Sequence, residues 1–378
     1  MPGFELIDQK EQLAIQRLFK KEGGILFAHG FDKLRKYYHV REFEKKIREK
    51  TKAKYALAVS SGTAAIKISL LAMGIRSGDE VITQAFNFIA TAEAIASIGA
   101  KVIICGIDDT LNMCPVDLEK KITKKTKAII PVHMLGVSAE MNKIKKIANY
   151  YSIPVCEDVC EAFGGKYDRK SLGLIGKCGI LSFDFGKIIT TGEGGAIITN
   201  NQKIYNFARE YHDHGHKNKK IARGNDSADK FGFNYRMTEI QGIIGKVQLT
   251  KLEKIIRENF KRYNVLQKVL SKNFKIRHIP NNSETTYEAF IFLEENKNRR
   301  KKIISLLNKS GFGTKNLPDA IKWHCSYFWG RGLERKQIKN SIKSKNKLSK
   351  SIAIPISLRK KTKDYQALAK KLYRIKSI

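Results

Sequence analysis

Short apolar runs alternate with longer segments whose apolar residues recur every three or four positions. The runs at 55–59, 81–83, 101–104, 128–132, 180–183 and 196–199 predict buried strands, and 154–156 leads as another into Glu157-Asp158. Between them the spacing predicts helices at 63–73, 90–98, 117–122, 142–151 and 205–211. Two amphipathic helices are expected ahead of the first strand. One covers 5–22, with Leu6, Leu13, Ile15, Leu18 and Phe19 as apolar candidates, and the other covers 40–51. Apolar strands alternating with helices imply an α/β fold, a largely parallel sheet covered on both faces. Ligands bind such sheets beyond the C-terminal ends of the strands, where Glu157 and Asp158 stand.

Near residue 250 the texture changes. Helices at 252–270, 299–310 and 364–373 and strand-like runs at 274–278 and 287–292 predict a smaller α+β unit. The expected division is 1–249, an N-terminal segment with a large domain, and 250–378, a small domain. Thr238 is placed to cap a long helix that either ends after Leu249 or runs on to 269. Residues 217–230 and the basic tract 339–350 are expected to be polar loops or mobile segments.

Composition narrows the classes. The chain has 378 residues, 42% of them hydrophobic, enough for a sizeable core and against disorder. No apolar stretch nears the roughly 18 residues of a membrane span, and the first residues lack a signal-peptide pattern, so a soluble cytoplasmic protein without a membrane partner is expected. The six cysteines form no Cys-x-x-Cys pair, which argues for reduced, largely buried thiols rather than a zinc ribbon. The net charge of +36 would suit a polyanion partner. Its lysines are spread along the whole chain, however, so a compositional bias with no specific nucleic-acid partner is the preferred reading.

The candidate chemistry centres on residues 179–199, a strand, a tight loop and a strand. Gly192, Gly194 and Gly195 permit sharp turns there, and Lys187 sits in an apolar, small-residue setting. A desolvated lysine loses proton affinity and can form a Schiff base with a carbonyl, while Ser182 could hold a phosphate. Taken alone, this is more simply a surface lysine on a glycine-rich hairpin. The Ser60-Ser61-Gly62-Thr63 turn, at the start of a helix, forms an anion site or an ordinary N-cap. The His212, His214 and His216 run could bind a metal by composition, but a polar loop beside the site is the better reading because Asp213 and Gly215 disfavour a strand.

Together the motifs resemble the DegT/StrS family of pyridoxal-phosphate (PLP) sugar aminotransferases. Ser182-Phe-x-x-x-Lys187 with Gly192-Glu-Gly-Gly195 is similar to the family's cofactor-lysine signature, and four further motifs fit in order. The resemblance implies a fold type I transferase: a mostly parallel seven-stranded sheet in the large domain and a smaller α+β C-terminal domain. It implies that Lys187 is the Schiff-base lysine and that Asp158 pairs with the pyridine nitrogen. Phe88 would stack on the ring, and Gly62, Thr63 and Ser182 would anchor the phosphate. Asn234, in Gly232-x-Asn-x-Arg-Met237, would reach the phosphate of a neighbouring subunit, which implies a homodimer. The family's glutamine or histidine three residues after the aspartate is Glu161 here, and a carboxylate beside a phenolate is repelled, so Glu161 is left outside the core site. The start at 2–6, the 213–216 run, Ser182-Phe-Asp184 and Trp323-His324 are similar to a subgroup that aminates a keto derivative of an eight-carbon acid sugar, with L-glutamate as donor. Such a product would serve surface polysaccharide or lipopolysaccharide synthesis. A nucleotide-linked keto-sugar, a PLP sugar dehydratase and a non-catalytic basic regulator are the alternatives. Arg236 with Lys217, Lys219 and Lys220 would steer an anionic sugar acid.

Overall fold

The computed structural model describes residues 2–375, apart from 32, 218–225, 227, 229 and 331. Helices α1 (Pro2–Glu5), α2 (Gln9–Lys21) and α3 (His39–Thr51) precede the first strand. The sheet layer runs β1 (Tyr55–Val59), α4 (Gly62–Ala72), β2 (Glu80–Gln84), α5 (Ala90–Ala96), β3 (Lys101–Cys105), α6 (Pro115–Lys121), β4 (Thr126–Ile130), α7 (Met141–Tyr150) and β5 (Cys156–Asp158). After a short hairpin, β6 (Lys166–Tyr167) and β7 (Lys170–Ser171), come β8 (Cys178–Ser182), β9 (Gly195–Thr199), α8 (Gln202–Tyr211) and α9 (Glu239–Leu270). The last region holds β10 (Lys275–Ile276), β11 (Ser283–Glu284), β12 (Ala289–Leu293), α10 (Lys297–Lys309), α11 (Ile321–His324), α12 (Arg335–Asn340), α13 (Ile342–Leu348), β13 (Ser351–Pro355) and α14 (Thr362–Tyr373).

Strands β3-β2-β4 and β1-β9-β8-β5 form two ladders. Parallel bridges Ile129–Val155 and Val132–Asp158 join them into the order β3-β2-β4-β5-β8-β9-β1. Only β9 runs antiparallel to its neighbours, so this is the mostly parallel seven-stranded sheet expected. Every residue of β8 and β9 is buried, and alternation sorts their side chains into two cores. Val81, Ile104, Ile130, Ile180 and Ile197 pack on one face. Ile82, Cys105, Ile129, Leu181 and Ile198 pack on the other. A third core lies in the C-terminal region, where Phe290, Phe292, Ile352 and Ile354 meet Leu266 and Leu368.

Two expectations are corrected. The first amphipathic helix starts at Gln9 because Asp8 and Glu11 form a capping box, and Leu13 and Phe19 on it are exposed. The basic tract 339–350 is mainly helix: α12 runs into it and α13 fills it, burying Ser344 and Leu348 while its lysines stay outside. Strand β13, directly after that tract, had no counterpart in the expected elements; it pairs antiparallel with β12. The long helix does not break after Leu249, so the expected division at 249/250 falls inside α9.

Helix α9 packs against α2, α3 and α14. A buried Lys251 ties it to the chain start: its Nζ donates to Glu11 Oε1 at 2.7 Å and to Leu6 O. The N-terminal segment also docks on the loop before β9. Phe4 stacks on Phe185 with ring centroids 4.6 Å apart, and Glu5 accepts from Ser357 Oγ and Leu358 N. All six cysteines are free thiols, and Cys105, Cys156, Cys178 and Cys325 are buried. Among the described residues, no helix is long and apolar enough to cross a membrane.

Candidate active site

Strands β1, β5 and β8 end around one cavity of about 400 Å³. Beyond β1, Ser61 caps α4, its Oγ accepting from Ala64 N at 3.0 Å. Gly62 and Thr63 open the helix and line the cavity, presenting the positive end of its dipole. A Cβ at Gly62 would sit 3.0 Å from Ser182 Cβ and 3.2 Å from Cys160 Sγ, so either neighbour would have to give way. Gly195, at the start of β9, backs directly onto the Ser61 carbonyl and leaves no room for a Cβ. Backbone and hydroxyl therefore converge on a narrow cradle, with Ser182 at the end of β8 facing the start of α4.

The acidic pair at the end of β5 splits by strand alternation. Asp158 faces the cavity. Its Oδ2 accepts from Thr91 Oγ1 at 2.9 Å and its Oδ1 from Cys160 N at 3.1 Å. Glu157 faces away and is consumed by structure. It accepts from the backbone N–H groups of Gly173, Ile175 and Gly176, and His133 Nε2 lies 3.3 Å from its Oε2.

Lys187 hangs from a tight loop closed by Thr191 N to Phe183 O and by Lys187 N to Asp184 O. Its ammonium lies 3.7 Å from Glu161 Oε1. Burial disfavours its charge, but Glu161, Cys160, Glu288 and Asp158 outweigh that, and its pKa lies above the usual lysine value. This corrects the expectation of a lysine with lowered proton affinity. Burial also pushes Glu161 up, yet the charges of Lys187, His324 and Lys315 and the Leu135 N–H bring its pKa down to about 2. Glu161, left outside the core site on sequence grounds, lines the cavity.

Lys187, Asp158, Gly62, Thr63, Phe88 and Ser182 all line this one cavity. Asn234 does not: it is exposed, at a bridge with Asp213. Arg236, expected to steer substrate, is instead paired with Asp213 at 2.6 Å. Lys219 and Lys220 lie outside the described residues. In the histidine run, His212 is buried and its Nδ1 lies 2.6 Å from Arg209 O. Burial pushes the His212 pKa down to about 4, the neutral form donating to that carbonyl.

Sequence reasoning missed Thr91, Cys160, Lys315 and Asn316 as lining residues, and took His324 only as a subgroup marker. The last three come from the far end of the chain. Backbone bonds from Asn87 N to His324 O and from Ile89 N to Trp323 O pin that segment over Phe88. The His324 and Phe88 ring centroids are 5.4 Å apart. No local motif announces Lys315 or Asn316.

The donor set fits PLP. A helix start with the Ser182 hydroxyl suits the phosphate, a buried and oriented carboxylate suits the pyridinium, Phe88 suits the ring face and Lys187 suits the aldehyde. A seven-stranded sheet of this order with that set defines a PLP-dependent transferase of fold type I. Within that class the chain belongs to the DegT/DnrJ/EryC1/StrS aminotransferase family, whose model matches residues 28–372. It is 39% identical over 219 residues to a GDP-perosamine synthase of Escherichia coli O157:H7, covering 58% of this chain and 59% of that one. An uncharacterised protein of Methanocaldococcus jannaschii is 35% identical over 289 residues, 72% of this chain and 74% of that one. The crystal structure of an aminotransferase from Psychrobacter cryohalolentis superposes with a TM-score of 0.84 at 25% identity, covering 96% and 95% of the two chains.

Proposed function

We propose that the protein is a PLP-dependent aminotransferase that moves an amino group from L-glutamate to a keto-sugar. The observation that carries this reading is Lys187 Nζ in one cavity with Asp158, Ser182 and the start of α4. Bound PLP supplies an electron sink for the charge left when a carbon gives up its proton. Asp158, oriented by Thr91 and the Cys160 N–H, would pair with the pyridine nitrogen and favour its protonated form. Gly62, Thr63 and Ser182 hold the phosphate and take no part in bond making. Phe88 holds the ring plane. Lys187 would hold the cofactor's aldehyde carbon, and its freed amine would be the group placed to take and return a proton in the cavity.

Two classes of keto-sugar have support. Likeness to a GDP-perosamine synthase favours a sugar carried on a nucleotide. The Trp323-His324 pair, with His324 in the cavity wall, favours the eight-carbon acid sugar. The test is to load the protein with PLP, convert it with L-glutamate and offer both classes. Aminated product from either one supports the reading and selects the substrate. No product from any keto-sugar overturns it.

The dimer is part of the same proposal. Asn234 is exposed, and the flanking Phe231 and Phe233 are 97% and 52% exposed. Mixing inactive Lys187→Ala with Asn234→Ala subunits should restore part of the activity through hybrids with one intact site. No recovery on mixing would count against a shared site.

A further inference from the structure

We propose that Glu161 is the fixed counter-ion of the reactive nitrogen. Its carboxylate holds positive charge on Lys187 Nζ before the cofactor attaches, and on the same nitrogen afterwards. The inference rests on the PLP reading above and deepens it.

The geometry is built for this. Glu161 Oε1 lies 3.7 Å from Lys187 Nζ, and the residue is 8% exposed. Oε2 accepts from Leu135 N at 3.2 Å, and Asn316 Nδ2 lies 3.4 Å from Oε1. Those two donors, one to each oxygen, fix the carboxylate. They also favour its ionised form. Leu135 holds a positive φ of 52°, in a tight turn beside this group.

The competing charges do not replace it. His324 and Lys315 also act on Glu161, but Lys315 Nζ is committed to Glu288 Oε2 at 3.0 Å. On the lysine side, Cys160, Glu288 and Asp158 act with Glu161. Asp158 is turned to Thr91 and the Cys160 N–H, and Glu288 is held by Lys315. Among the described residues, Glu161 is thus the carboxylate within ion-pair distance of Lys187. Protonation of the nitrogen that would carry the cofactor makes the carbon bonded to it the better electrophile for an incoming amine. The carboxylate is therefore useful at this position, where repulsion from a phenolate alone would argue against it.

The test is an absorbance titration of the cofactor bound to Lys187, comparing wild type with Glu161→Gln and Glu161→Asp. The midpoint for loss of the nitrogen proton should fall by about one pH unit or more, a tenfold change in affinity for that proton, in Glu161→Gln. Glu161→Asp, which keeps the charge but withdraws it, should fall by less. A midpoint within about a third of a unit of wild type in folded Glu161→Gln overturns the proposal, since one unit corresponds to the tenfold change expected. A purely structural role would alter cofactor retention without moving the midpoint. Borohydride reduction followed by mass measurement of the Lys187 peptide reports separately whether PLP is attached. Absence of a tag in wild type would sink the PLP reading itself rather than the role of Glu161.

Discussion

Asp158 and His212 are both buried and both titratable, yet they serve opposite ends. Asp158 faces the cavity and serves the site. Asp158→Asn should lower turnover by several orders of magnitude while PLP still binds, because the phosphate anchors lie elsewhere. Steady-state rates and the absorbance of the bound cofactor check this, and a variant within tenfold of wild type would assign the pyridine nitrogen to another group. His212 is neutral in the fold. Its folded pKa of about 4 is below the ordinary 6.5, so its contribution is present above pH 6.5 and is lost as pH falls through 4. A shift of that size corresponds to about 3 kcal/mol. Urea melts should show that loss between pH 7 and 4 in wild type and a flatter profile in His212→Asn. Equal slopes would place the acid sensitivity in another group. At this scale the site was legible wherever short local motifs carry it, as with Ser61-Gly62-Thr63 and Ser182 to Lys187. Lys315 and Asn316 were not, because chain folding over more than a hundred residues brings them to Glu161.

Strand β5 shows what an element adds. Two adjacent acids looked like one functional pair in the sequence, and alternation sends only one to the cavity. Glu157 instead gathers three N–H groups of the 173–176 loop against β8. Removing that acceptor strands buried donors. Glu157→Ala should therefore cost roughly 3–5 kcal/mol by thermal or urea melts. Glu157→Gln should recover part of that, and a cost under about 1 kcal/mol would mean water satisfies the loop. Strands were legible because they are buried on both faces and read as plain apolar runs. The helix at 342–348 was not, because its buried side is reduced to Ser344 and Leu348 between lysines. A stripe so narrow gives little periodic signal, and the charge run hid it.

For the whole molecule the question is what +36 does. The cations near the cavity are largely engaged: Lys187 with Glu161, Lys315 with Glu288, and Arg236 with Asp213 further out. For the proposed anionic sugar substrates, any attraction would come from the summed surface rather than from one steering residue. The association rate should fall as salt shortens the screening length to roughly 8 Å at physiological strength, while the catalytic step stays constant. Retention on DNA should be independent of sequence and disappear over the same range. A defined nucleic acid bound a thousandfold more tightly than random sequence at that salt would overturn this and revive the regulator reading.

Helix α9 spans 32 residues, about 48 Å at 1.5 Å per residue. It carries the chain start on one stretch and α14 on another. Two lobes joined by a flexible linker melt separately, each with its own midpoint. Two lobes that share a rigid rod cannot, since unwinding it for one removes the floor of the other. The amide hydrogens in the middle of α9 should therefore be among the last to exchange, at a rate set by opening of the entire chain. Loosening the Glu11–Lys251 tie near the first residues should speed exchange as far away as the C-terminal core.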